Sequence, residues 1–208
     1  LFDNSAIERF LRKAYSSHGR SNDFRELASK LIIVAVELES GQTVRFGSSG
    51  HDAVPISRAI EASAALPGLY PPVQIDGKHY VDGALRHTVH ASVALDSGAD
   101  LVLAINPLVP INTVHAKSQG KASSPNVVDG GLPAVLSQMF RTLLESRMQT
   151  SIPRYERTYP DSDLMLLQPD ADDTDMFFTN VFSFSHRKRL AEHAYQSTLR
   201  DLRMHRKT

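Results

Sequence analysis

The stretch whose reading decides the fold is Ala59–Pro107, AIEASAALPGLYPPVQIDGKHYVDGALRHTVHASVALDSGADLVLAINP. Pro55 suits the first turn of a helix, which is predicted from Ile56 to Leu66. Its small residues, Ala59, Ala62, Ser63, Ala64 and Ala65, allow close approach to a sheet or another helix, and Ser63 reads as one of these packing positions. Pro67-Gly68 then ends the helix and Pro71-Pro72 stiffens the exit. Asp76-Gly77 predicts a hairpin turn that returns the chain to Asp82. Tyr80 and Val81 favour extended backbone, while Gly83 permits a sharp turn and the close approach of another group. Asp82 is thus either a turn former or a working acid or base, and its position alone leaves both open.

Working outward, Leu31–Glu37 is a continuous apolar run with β-branched residues, as expected of a strand covered on both faces. Glu39-Ser40-Gly41 turns it into Thr43–Phe46, a predicted hairpin. On the other side, Val89–Ser97 reads as a short helix stopped by Gly98. Leu101–Ile105 follows as a second buried strand, ended by Asn106-Pro107. Strand, crossover helix and strand predict a parallel sheet covered by helices.

These motifs, in this order, resemble the C-terminal half of the catalytic domain of patatin-like phospholipases. The residues that carry the likeness are Ala62–Val73, Ile75-Asp76-Gly77, Tyr80-Val81 and Asp82-Gly83-Ala84, with Gly98-Ala99-Asp100 before Leu101–Ile105. The resemblance runs from Leu31 to Pro107 and implies an α/β fold. That fold is a three-layer sandwich with a mainly parallel central sheet covered by helices. Residues 1–208 would be the C-terminal part of one such domain, incomplete on its N-terminal side. In the family the acid of this turn pairs directly with a Ser nucleophile and no His takes part, so Asp82 is the implied catalytic acid, with Gly83 and Ala84 in support. The implied activity is lipid acyl hydrolysis of the phospholipase A or esterase type.

Positions 88 and 90, where the family usually carries Asn and Pro, hold Thr88 and His90. A Gly-rich oxyanion loop and a Gly-x-Ser-x-Gly elbow are also needed, and neither occurs in this sequence. Both are expected upstream, in an N-terminal portion of the same domain. Ser48 and Ser49 do not replace the elbow, because Ser48 follows Phe46 by two residues and Ser49 precedes His51 by two. A plain polar loop is the reading for both.

At 208 residues the chain is long enough for one sizeable core. Its 41% hydrophobic and 22% charged residues are those of an ordinary globular protein. A formal net charge of zero removes any global pull toward nucleic acid or anionic membrane. The absence of cysteine excludes disulfides, thiol nucleophiles and thiolate metal sites. No metal or nucleotide motif is present, so no cofactor is expected. The expected location is cytoplasmic, with any membrane contact peripheral, and a chain opening on Leu1 reads as processed or truncated.

Other segments are assigned as follows. Ser5–Glu8 has capping-box form, with Asn4 and Ser5 as caps, and Ile7, Phe10, Leu11 and Ala14 continue an amphipathic helix packed on a core. Asn112–Gly131 is rich in Ser, Lys, Gly and Asn and is predicted to be a mobile loop or flap. Leu132–Thr150 is helical, its apolar positions core or lipid-contacting. Leu164–Leu167 predicts a strand, Asp170–Asp175 a solvated loop, and Ser185–Arg206 a long helix with a solvated or interfacial basic face. His87 and His90 could share a helix face, but no third metal ligand is placed, and surface or capping roles serve as well. Two rival functions stay open. One is a patatin-like interaction or pseudo-enzyme domain. The other is a Ser-His-Asp esterase using His87, His90, His115, His186 or His193.

Overall fold

The computed structural model describes residues 3–67, 69–87, 89–118, 126–170 and 187–205, and these divide into two compact units, residues 1–90 and 91–208. The first unit is a four-stranded sheet with helices. Its elements are α1 (Ser5–Tyr15), β1 (Ile33–Glu37), β2 (Thr43–Phe46), α2 (Ile56–Ser63), β3 (Val73–Ile75) and β4 (Lys78–Asp82). The strand order is β2-β1-β4-β3 and every pairing is antiparallel. The expected hairpins are both present. Asp76 and Gly77 sit at φ 49° and 78°, the pair of positive angles that a two-residue hairpin turn requires, and they set Ile75 opposite Lys78.

The core of this unit gathers Ala35, Val44, Phe46, Ile56, Val73 and Tyr80. Ala59, Ala62 and Ala65 are fully buried, so the small face of α2 is the packing face that its composition predicts. Phe46 and Tyr80 meet edge to face with ring centroids 5.2 Å apart, worth about 0.5–1.5 kcal/mol beyond the area they bury. The helix stops at Ser63, earlier than Pro67-Gly68 implies, because Ala64 N–H closes the last turn onto Ile60 and Ala65 is diverted to the sheet.

α1 departs from expectation in a useful way. Asp3, not Asn4 or Ser5, caps its first turn, accepting from Ser5 N–H at 2.9 Å. Glu8 does not reach back to form the capping box; it is buried and accepts from Ser57 Oγ at 3.1 Å. Phe10, expected in the core, is exposed.

The second unit contains α3 (Ala91–Leu95), β5 (Leu101–Ile105), α4 (Thr113–Ser118), α5 (Gly131–Thr158), β6 (Asp163–Leu167) and α6 (Arg187–His205). β5 and β6 pair in parallel, with Leu101 opposite Asp163 and Ile105 opposite Leu167. α5 runs unbroken through Pro153 and is fixed by Gln138, whose side chain bonds both N–H and C=O of Ile111. Arg141, buried beside it, donates to Val109 C=O at 3.1 Å, and burial lowers its affinity for the proton.

Three expectations change. The sheet of the first unit is antiparallel rather than mainly parallel, because its strands are joined by short turns and β1 also meets β4 head to tail. The strand after the crossover helix pairs with β6, which accounts for the one parallel pair among the described residues. Nor is β5 buried on both faces: Leu101, Leu103 and Ile105 are exposed. Of Asn112–Gly131, the described parts are α4 and a 3-10 turn at Val127–Gly130, and residues 119–125 lie outside the described residues. So do Thr88, residues 171–175, Ser185 and His186.

Candidate active site

Asp82 closes β4 opposite Ala35 of the central strand β1. Its N–H donates to Ala65 C=O at 3.1 Å, so the freed end of α2 clamps the last residue of the strand. Immediately after it the backbone tightens into a 3-10 turn, Gly83–Leu85, and Asp82 caps that turn by accepting from Ala84 N–H on Oδ1 at 2.8 Å. Oδ2 takes no hydrogen bond from any described residue. Oδ1 is therefore the oxygen anchored by the backbone. Burial pushes the carboxyl's pKa above its ordinary value, and the Ala84 hydrogen bond opposes it with smaller effect.

Gly83 is required here by space rather than by a positive φ. A Cβ at this position would lie 2.5 Å from Val34 C=O oxygen and 2.9 Å from its carbon, both rigid backbone of β1. The turn can then press against the sheet and hold the carboxylate at its edge. His90 completes the enclosure: its Nε2 donates to Gly83 C=O at 3.0 Å. Burial lowers the His90 pKa, which favours the neutral imidazole, and His87 stands edge-on to it at 5.7 Å between ring centroids. His90 thus latches the turn and makes no hydrogen bond to Asp82. Its Nε2 is committed to a carbonyl, which does not suit a general base for a Ser hydroxyl. His115 and His193 belong to the other unit. Among the described residues no three His, Cys, Asp or Glu side chains form a metal-binding group.

Ser48 donates to Arg45 C=O at 2.6 Å and so closes the loop after β2. Ser57 is buried, fully enclosed and bonded to Asn22 and Glu8. Residues 1–95 match the family model described as Patatin-like phospholipase.

The patatin-like match covers the whole first unit and ends at the last residue of α3. It points to lipid hydrolysis as the class of activity. It contains Asp82, Gly83 and Ala84 and leaves nearly all of the second unit outside. Two supports of the turn were not visible in the residue pattern. The Ala65 clamp depends on where α2 frays, and the His90 latch stands where the family's usual residue differs. A neutral, turn-directed His at position 90 is legible only as an oddity until its partner is seen.

Proposed function

We propose that this chain carries the acid of a Ser–Asp dyad in a patatin-like lipid acyl hydrolase, with Asp82 as general base. The nucleophilic Ser and the oxyanion loop would come from an N-terminal portion of the same domain, and the complete domain would have the three-layer patatin-like sandwich. The observation that supports this reading most directly is the setting of Asp82: Oδ1 anchored by Ala84 N–H, no described donor on Oδ2, and burial raising its basicity. A carboxylate of ordinary basicity is a poor acceptor for a hydroxyl proton, so burial at this turn works in the needed direction.

The chemistry then runs in two balanced steps. Ser Oγ attacks the ester carbonyl while its proton passes to Asp82 Oδ2; collapse of the tetrahedral intermediate expels the alkoxide, which takes that proton and leaves as alcohol. Water next attacks the acyl-enzyme, Asp82 accepts its proton, and return of the proton to Ser Oγ releases the acid. Gly83 and Ala84 act by position, the first by close packing and the second through its N–H.

The test is Asp82→Asn in the protein that joins this chain to its Ser-bearing portion. Asn keeps the shape and the Ala84 hydrogen bond but cannot take the proton. Ester hydrolysis should fall by about two to four orders of magnitude, with folding retained. His87→Ala should leave turnover near wild type, and His90→Ala should cost about 0.5–1.5 kcal/mol of stability with little change in kcat. Near-wild-type turnover by Asp82→Asn would remove the assignment and return Asp82 to the role of turn former.

A further inference from the structure

Val89 is β-branched and yet stands in left-handed backbone, at φ 46°. This conformation is disfavoured for such a side chain and persists only where neighbours hold it. Among the described residues Asp76 is the other non-glycine with a positive φ, and its hairpin turn accounts for it. The group that holds Val89 is the next residue: His90 Nε2 donates to Gly83 C=O at 3.0 Å. The same carbonyl accepts from Arg86 N–H at 3.1 Å, closing the 3-10 turn in which Ala84 anchors Asp82. One oxygen thus ties the strained Val89-His90 pair to the turn of the candidate site.

The surroundings of the His90 ring are basic. Arg45 of β2 and His87 both disfavour a proton on it, and the His87 ring stands 5.7 Å away between centroids. Arg45 lies in register with Val34 of β1, whose C=O oxygen closely approaches Gly83. β1 meets the turn through this backbone, and Asp82, the acid of the turn, makes no hydrogen bond to the ring. A neutral ring can therefore donate to Gly83 at no electrostatic penalty. A second proton adds a charge beside like charges in a half-buried place.

We propose that Val89-His90 is an acid-released latch: the neutral ring holds the Gly83–Leu85 turn shut, and a proton on the ring frees it as Val89 returns to ordinary backbone. The imidazolium keeps its Nε2–H, so burial and the like charges, not loss of the donor, drive the release. The pKa of His90 in the closed form is lowered. The closed form is therefore fully favoured above the ordinary histidine range and lost as pH falls through the lowered value. Asp82 stays clamped to Ala65 C=O when the latch opens, so what changes is the mobility of the turn. The latch depends on the turn's geometry alone, and its test is separate from that of the hydrolase reading.

The experiment is amide hydrogen exchange of the chain by NMR between about pH 8 and pH 5, corrected for intrinsic rates. The Ala84 and Arg86 amides should lose protection in acid by about tenfold or more, while Ala35 and Val36 of β1 keep theirs. In His90→Gln, whose side-chain nitrogen replaces Nε2 and does not titrate, both amides should stop responding to acid. Val89→Asn accepts left-handed backbone and should need more acid for the same loss. In carbon-13 spectra, the histidine ring resonance that His90→Ala removes should titrate with the midpoint of that loss. Where Gln does not reach Gly83 and the amides exchange at every pH, this coincidence in the wild type decides. A ring that protonates while both amides stay protected overturns the proposal. So does acid loss that persists in His90→Gln, which would belong to Asp82, or loss shared equally by Ala35 and Val36. Release of Val89→Asn at higher pH than the wild type contradicts a strained hinge and overturns it equally.

Discussion

At the end of β4 a carboxyl group sits where burial disfavours its charge and a single backbone N–H returns part of the loss. The folded-state pKa is raised above the unfolded one. Its contribution to stability is therefore fully present below the ordinary carboxylate range and lost as pH rises through the folded value. At neutral pH the ionised Asp82 is a net cost, which the proposed dyad role would account for. Asp82→Asn should thus be more stable than the wild type at pH 7, and the difference should shrink as pH falls toward the ordinary carboxylate range. Urea unfolding midpoints across that window measure it; a variant less stable than wild type at pH 7 would contradict the account. Asp82 and Gly83 were legible in the residue pattern because a strand end followed by Gly is a local signal. The His90 latch was not, because only the folded turn shows which nitrogen meets which carbonyl.

Elements dock in this molecule partly through buried polar groups. Ser57, at the start of α2, receives Asn22 Nδ2 at 3.0 Å, donates to Glu8 of α1 at 3.1 Å, and is sealed from solvent. Nearby Glu61 is buried and paired with Arg58, and desolvation raises its pKa despite that pair. Ser57→Ala would remove the hydroxyl that joins the buried Glu8 carboxylate to the half-buried Asn22 amide, leaving Glu8 Oε1 with Arg12 at 3.6 Å. A loss of about 1–3 kcal/mol is expected, read as a lowered denaturation midpoint, with α1 more open to proteolysis. Helical periodicity located α1 and α2 well, and the alanine face of α2 identified its packing side. Periodicity placed Phe10 inside and Glu8 at a cap, and tertiary contacts reversed both. A hydrogen-bonding partner far along the chain outweighed the apolar count.

At the scale of the whole molecule, β5 carries an apolar edge that is left uncovered. Leu101, Leu103 and Ile105 alternate along it and are exposed, 57%, 60% and 72%, although such a run is expected to be covered. An apolar strand face of this kind tends to associate. The isolated chain should therefore show concentration-dependent self-association by light scattering, and Leu103→Lys/Ile105→Lys should suppress it. A wild-type chain that stays monomeric at high concentration would contradict this. The sequence by itself determined the strands, both hairpins, the alanine-faced helix and the Asp82-Gly83 turn, since each follows from spacings within a few residues. Only the tertiary structure decided that β1 lies antiparallel between β2 and β4, that β5 pairs with β6, and that one face of α5 stays in solvent. Strand partners and buried faces depend on contacts between residues distant along the chain, and a local pattern fits more than one such arrangement.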